Sequence, residues 1–142
     1  MTIVHKNTGS CDKCIEIFNK YPKFYTDLYY WFINLQKQYP EIHISCAGRG
    51  QADQDQLYFR GASRAKWKQS AHNYNAAIDV FFNIIGSKEI YPLDKFKNIL
   101  QPNLPAWCEW YGDPNARFHE LPHIEVRGWS QLAVNGVINL VE

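Results

Sequence analysis

The chain has 142 residues, enough for one domain with a sizeable hydrophobic core and too few for two ordinary domains. Its 15 basic and 14 acidic residues leave a net charge of +1, which gives no electrostatic footprint for nucleic acid or an anionic membrane. No stretch approaches the roughly 18 apolar residues that a membrane span needs, and residues 1–6 lack the apolar segment of a signal peptide. We therefore expect a single-domain monomer, residues 1–142, that starts in a cytoplasm.

The first 40 residues are predicted to form a helical segment packed on the rest of the domain. The spacing from residue 12 to residue 39 is helical and is interrupted at Pro22, which ends one helix and can open the next. In the second helix, Phe24, Leu28, Trp31 and Leu35 lie on one stripe. A stripe of this width packs into a core more often than it contacts a ligand, so we assign it to the core.

Two of the four cysteines form a Cys11-x-x-Cys14 pair, which is typical either of half a zinc knuckle or of a redox pair. A structural zinc site needs two further ligands at a matching spacing, and the sequence offers no second C-x-x-C to supply them. We therefore expect ordinary thiols near the start of a helix.

The middle of the chain alternates between strand and helix patterns. Residues 41–46 alternate polar and apolar side chains as a strand does, which predicts that His43 faces solvent. Residues 51–60 are predicted to be a helix with Tyr58 toward the core and Gly61 as its C-terminal stop.

Residues 77–82 are a β-branched and aromatic run that predicts a buried strand. Asp79 points to one face of it, and its neighbours Ile78 and Val80 point to the other. A carboxylate buried without a partner is strongly unfavourable, so a metal or a basic group should lie beside Asp79. His72 lies seven residues earlier, and Asn73-Tyr74-Asn75 can supply the turn between the two.

A second polar stretch, residues 119–125, contains His119, Glu120, Pro122 and His123. It satisfies the H-E-x-x-H pattern of helical zinc sites. Pro122 opposes a helix, because inside one it would remove a backbone donor and clash with the preceding turn, at a cost of about 3 kcal/mol or more. We predict instead that Glu120 lies in a loop and that residues 123–126 are a strand, which leaves His119 out of the site.

Together the two stretches predict a catalytic zinc centre. Such a centre takes three protein ligands and leaves the fourth position for the attacking water. His72, Asp79 and His123 are the candidate ligands, and Glu120 is the candidate general base.

The remaining segments predict the fold class. Residues 93–100 have helical spacing, residues 106–110 fit either a helix or a strand, and the apolar C-terminal segment completes the core. The fold class that fits is α+β, a small antiparallel sheet that carries the zinc site, with helices packed on it.

The pattern Ser70-x-His72-x-x-Asn75-x-Ala77-x-Asp79, followed by Glu120-x-x-His123, resembles the zinc peptidases that cleave D-alanyl-D-alanine or L-alanyl-D-glutamate bonds in bacterial peptidoglycan. The family pattern has Gly where this chain has Asn75, a mild departure because Asn tolerates a positive φ. Residues 48–58 resemble the family's arginine segment without its tyrosine, and residues 110–114 are similar to a W-G-G-D-W run of the phage endolysin branch. The resemblance spans roughly residues 45 to 126.

The resemblance implies one catalytic Zn²⁺ and a peptidoglycan stem peptide as the substrate. It further implies that Arg49 faces the oxyanion or a substrate carboxylate, with Ser70, Gln54 and Arg64 as weaker candidates for substrate contacts. The expected activity is an L-alanyl-D-glutamate endopeptidase, acting on the wall after release from the host cytoplasm or from a virion. A D-alanyl-D-alanine carboxypeptidase and a non-catalytic cell-wall-binding or virion structural domain are the alternatives.

Overall fold

The computed structural model describes residues 5–21, 26–114 and 120–142, and the predicted α+β class is confirmed within them. The helices are α1 (Asp12–Phe18), α2 (Thr26–Gln38), α3 (Gln51–Phe59), α4 (Leu93–Lys95) and α5 (Trp129–Val134). The strands are β1 (Ile42–Cys46), β2 (Ala77–Phe82), β3 (Cys108–Trp110) and β4 (His123–Val126). A π-helical segment, Phe96–Leu100, and a 3₁₀ turn, Gln101–Asn103, follow α4, and a 3₁₀ turn, Ala71–Tyr74, precedes β2.

The four strands form one antiparallel sheet in the order β1-β2-β4-β3. Residues 106–110, which fit either a helix or a strand by sequence, therefore contribute the edge strand β3. The register pairs Asp79 on β2 with His123 on β4 and with Cys46 on β1. The sheet thus brings three side chains from distant parts of the sequence into one row across β1, β2 and β4.

The core lies between this sheet and the N-terminal helices. The strands contribute apolar residues that alternate along each strand, and α2 contributes Leu28 and Leu35, as its stripe predicts. Phe32, which sequence spacing places beside the stripe, is also fully buried, whereas Trp31 is half-buried. Phe24 lies outside the described residues. The C-terminal segment adds Ile138 and Val141 to the buried set, as expected.

Two burial predictions are wrong. His43 is fully buried rather than facing solvent, because residues 5–14 cover this part of β1 and contact its imidazole. Tyr58 is 38% exposed rather than in the core, because α3 turns only Gln54 fully inward. None of the described helices has the length and apolar character needed to cross a membrane.

Candidate metal centre

Three side chains converge where the 3₁₀ turn before β2 meets the middle of the sheet. They belong to His72, Asp79 and His123. The turn Ala71–Tyr74 presents His72, and its end is marked by Asn75, which adopts the left-handed conformation with φ 55°. This conformation is one that Asn accepts more readily than other non-Gly residues. The chain then enters β2, where Asp79 faces the histidine, while His123 opens the neighbouring strand β4.

One imidazole nitrogen of each histidine lies close to the same oxygen of Asp79. Asp79 Oδ1 lies 3.2 Å from His72 Nε2 and 3.2 Å from His123 Nδ1. In a tetrahedral zinc site, Zn–N bonds of about 2.0–2.1 Å and Zn–O bonds of about 2.0–2.2 Å place neighbouring ligand atoms about 3.3–3.5 Å apart. The donor set and its spacing therefore fit a zinc ion.

The other nitrogen of each imidazole has its own partner. His72 Nδ1 lies 2.7 Å from the carbonyl oxygen of Ala47, to which it can donate. His123 Nε2 lies 2.8 Å from Glu125 Oε1. Metal-binding histidines commonly use such outer partners to fix the ring and its tautomer, so both rings are oriented for binding through the nitrogen that faces Asp79.

The electrostatics of the three groups are strongly coupled. Burial alone would lower the pKa of His72, but the Asp79 carboxylate and Cys46 outweigh it and raise that pKa to about 10. Burial would raise the pKa of Asp79, yet His72 and then His123 hold it well below its usual range. Burial would likewise lower the pKa of His123, but its hydrogen bonds to Asp79 and Glu125 raise it. Without a metal, the Asp79 carboxylate therefore favours the protonated form of each neighbouring imidazole.

Arg49 borders the same centre and is held from several sides. Its guanidinium donates to Gln54 Oε1 at 3.1 Å, and its Nη2 lies 3.8 Å from Asp79 Oδ2. Its backbone nitrogen donates to the carbonyl oxygen of His72, and Asn73 Nδ2 donates to its carbonyl oxygen. These contacts fix the arginine beside the candidate ligands.

Gln54 is fully buried and also bonds the 63–65 loop, donating to Ser63 and to the carbonyl oxygen of Ala65. Ser70 caps the 3₁₀ turn by accepting from the backbone nitrogen of His72. Through these contacts, Gln54 holds Arg49 in place and Ser70 holds the turn that carries His72. Gln54 lies behind Arg49 rather than on the solvent-facing side of the site.

An open cleft of about 1010 Å³ lies over the centre. The candidate ligands, Arg49 and Ser70 line it, and so do Glu120 and Arg64. Glu120 and Arg64 are exposed. A substrate in this cleft would therefore meet the ligand atoms and side chains of both charges.

Glu120 lies in a loop, as predicted, and β4 begins at His123 after a turn. The backbone nitrogen of Glu120 donates to the carbonyl oxygen of Tyr111, and its carbonyl oxygen accepts from the backbone nitrogen of His123. The extended geometry at His123 is incompatible with a helical H-E-x-x-H site. His119 lies outside the described residues.

The strand pattern of residues 123–126 predicts that Glu125 shares a face with His123, although it gives Glu125 no role. Sequence reasoning missed Cys46 as a neighbour of the centre. Cys46 lies near His72 and Asp79, but its sulfur is 3.8 Å from His72 Nδ1, the nitrogen turned away from Asp79. His123 remains the predicted third ligand, and its Nδ1 lies 3.2 Å from Asp79 Oδ1.

No protein-family profile matches the sequence, and no curated protein does. Among solved structures, the chain is similar to Serratia marcescens L-Ala D-Glu endopeptidase ChiX, with a TM-score of 0.67 and 18% sequence identity. The alignment covers 92% of this chain and 96% of that chain. The two chains therefore share a fold along nearly their whole lengths.

Proposed function

We propose that this chain is a zinc metallopeptidase that hydrolyses the L-alanyl-D-glutamate bond in the stem peptides of bacterial peptidoglycan. The observation that carries the proposal is the convergence of two imidazole nitrogens on Asp79 Oδ1, each at 3.2 Å, at the floor of an open cleft. The fold shared with ChiX, which is described as an L-Ala D-Glu endopeptidase, adds support.

His72, Asp79 and His123 would hold the ion. A zinc ion bound there would polarise the scissile carbonyl and lower the pKa of a bound water toward neutrality. The protein's contribution is to hold the three donors rigidly, with Ala47 and Glu125 fixing the two imidazole rings.

Glu120 would act as the general base. It is a carboxylate on the wall of the cleft, and its loop is attached by backbone hydrogen bonds to Tyr111 and His123. From this wall it would take the proton of the attacking water and return it to the leaving amine.

Arg49 would stabilise negative charge that develops on the scissile carbonyl oxygen. Its guanidinium is held beside Asp79 by Gln54, so its position is fixed before substrate arrives. A fixed cation at this position requires little reorganisation during the reaction.

The exposed Arg64 supports the choice of substrate. D-glutamate carries a carboxylate next to the scissile L-alanyl bond, and a second cation on the same cleft can bind it by a charge-assisted hydrogen bond.

Loss of turbidity of purified cell walls tests the activity, with the zinc-loaded protein compared with Glu120→Gln and Arg49→Ala. We expect Glu120→Gln to retain zinc and to lose about 10²- to 10⁴-fold in rate, because only the base is removed. Arg49→Ala should lose about 10²- to 10³-fold, as for other oxyanion donors.

Glu89→Gln and Arg60→Ala are matched controls, because both residues are exposed and lie outside the cleft lining. Near-native rates in Glu120→Gln or Arg49→Ala would remove that residue from the mechanism. Intact walls after treatment with the zinc-loaded protein would contradict the endopeptidase activity and favour one of the alternatives, a D-alanyl-D-alanine carboxypeptidase or a non-catalytic wall-binding or virion structural domain.

A further inference from the structure

A second group of metal-ligand side chains lies outside the cleft and plays no part in the proposed reaction. His5, Cys11, Cys14 and His43 each offer one ligand atom, and these atoms all lie within 4.8 Å of one another. Both cysteines and His43 are buried, and His5 is half-buried. We name these four residues the Cys₂His₂ cluster.

We propose that the Cys₂His₂ cluster is a structural zinc site that fixes the N-terminal segment to strand β1. The sequence alone favours ordinary thiols here, because only two ligands stand at a recognisable spacing. The fold supplies the other two: His5 comes from the segment that precedes α1, and His43 comes from β1.

The separations fit tetrahedral coordination. His5 Nδ1 lies 3.3 Å from Cys11 Sγ and 3.4 Å from Cys14 Sγ, and His43 Nδ1 lies 3.5 Å from Cys14 Sγ. Zn–S bonds of about 2.3 Å and Zn–N bonds of about 2.0–2.1 Å place a sulfur and a nitrogen about 3.6 Å apart in a tetrahedral site. A single ion between the four atoms therefore needs only small adjustments.

Hydrogen-bond donors surround the two sulfurs. The backbone nitrogen of Cys14 donates to Cys11 Sγ at 3.3 Å, and that of Ile44 donates to Cys14 Sγ at 3.5 Å. Gln36 Nε2 also lies 3.5 Å from Cys14 Sγ. Donors around ligand sulfurs are the outer contacts that metal sites use, and two thiolates would balance the charge of Zn²⁺. Their protons leave to solvent on binding.

His43 is oriented for coordination through Nδ1. Its Nε2 lies 2.7 Å from Asn7 Oδ1, and Asn7 Nδ2 in turn donates to the carbonyl oxygen of Asn83. The amide of Asn7 therefore presents its oxygen to His43, which places the proton on Nε2 and leaves the Nδ1 lone pair for a metal.

The cluster differs from the catalytic centre in its donor set, and this gives a spectroscopic test. Cobalt(II) bound to thiolates has an intense near-ultraviolet charge-transfer band, which a site of two histidines and an aspartate lacks. We expect this band in the wild-type protein and in His72→Ala, and we expect it to weaken or disappear in Cys11→Ser and Cys14→Ser. Cys46→Ser and Cys108→Ser are matched controls that should retain it.

Zinc content gives a second readout. Cys14→Ser should bind one zinc ion fewer per chain than the wild type, and Cys108→Ser should bind as many as the wild type. Absence of the band from both the wild type and His72→Ala, or its loss in Cys46→Ser with retention in Cys14→Ser, would overturn the proposal. Formation of a disulfide between Cys11 and Cys14 by initially reduced protein, in place of metal binding, would overturn it as well.

Neither readout depends on turnover, so the proposal stands or fails separately from the peptidase activity. If the protein shows the band and has no peptidase activity, the structural zinc site stands and the proposed function fails. If the protein is active and shows no band, the proposed function stands and the structural zinc site fails. The spectra of the wild type, His72→Ala and Cys46→Ser decide the question even if a Cys11 or Cys14 variant does not fold.

Discussion

At the residue scale, the three candidate ligands and their outer partners should differ in how much zinc affinity each supplies. We expect His72→Ala, Asp79→Ala and His123→Ala to lower the affinity by more than about 100-fold. Glu125→Gln should lower it by about 10- to 100-fold, the range typical of outer partners that orient a ligand. Equilibrium dialysis in a Cys14→Ser background isolates this centre from the Cys₂His₂ cluster.

His119→Ala is the control for the same experiment and should retain zinc affinity. An empty catalytic centre in His119→Ala, with normal metal binding by His72→Ala or Asp79→Ala, would favour the alternative H-E-x-x-H ligand set.

Zinc affinity at this centre should rise with pH. The pKa of His72 is raised to about 10, so the metal-free protein holds an imidazolium–carboxylate pair at neutral pH. That pair stabilises the metal-free state below the raised pKa, and the stabilisation is lost as the pH rises through it. Zinc must displace the proton, so the affinity should rise by about tenfold per pH unit for each proton displaced. Competition with a chelator between about pH 6 and pH 8, where histidines commonly titrate, measures this slope.

The same competition, measured with Cys14→Ser, assigns the pH dependence of zinc affinity to the candidate metal centre rather than to the Cys₂His₂ cluster. A flat affinity, after correction for the protonation of the chelator, would mean that no histidine proton is released and would contradict the pairing of His72 with Asp79.

At the element scale, the turn before β2 depends on a close approach to the loop that carries Arg49. A Cβ atom on Gly48 would collide with Asn75 Oδ1 and would lie 2.8 Å from the Tyr21 ring. We expect Gly48→Ala to lower the free energy of unfolding by about 1–3 kcal/mol, as other overpacked sites do. Urea denaturation of the zinc-free protein measures the change.

Gly48→Ala combined with Asn75→Gly tests the cause. Glycine accepts φ 55° and removes the colliding amide, so the double variant should recover part of the lost stability, while the contact with Tyr21 remains. A double variant less stable than the sum of the two single changes would show that the collision is not the cause.

The elements that carry the candidate metal centre could be predicted from sequence because each is recognisable locally. The β-branched run around Asp79, the loop around Pro122 and the Asn-rich turn after His72 each have a local signature, and the structure has a strand, a turn and a 3₁₀ turn there. The burial of His43 could not be predicted, because it depends on residues 5–14 covering a strand that looks half-exposed by alternation.

At the scale of the whole molecule, the unpredicted features are those that the tertiary fold assembles. The four residues of the Cys₂His₂ cluster span positions 5 to 43 with no common spacing, and only the packing of α1 on β1 brings them together. The hydrogen bond from Arg49 to Gln54 is similar, because the sequence offers Gln54 as a candidate substrate contact and does not show that it binds Arg49.

The sheet explains how one small chain can keep the two groups of ligands apart. His43 and Cys46 lie three residues apart on β1. His43 belongs to the Cys₂His₂ cluster, whereas Cys46 lies in the cross-strand row that continues through Asp79 and His123. A change in the register of β1 would therefore displace residues of both groups of ligands.

The identity of the bond cut in purified peptidoglycan tests the proposed function most directly. The zinc-loaded protein should generate fresh N-terminal D-glutamate, which labelling of new amino groups followed by mass spectrometry detects, and Glu120→Gln should not. Release of free D-alanine without new internal amino ends would contradict the endopeptidase assignment and favour a D-alanyl-D-alanine carboxypeptidase.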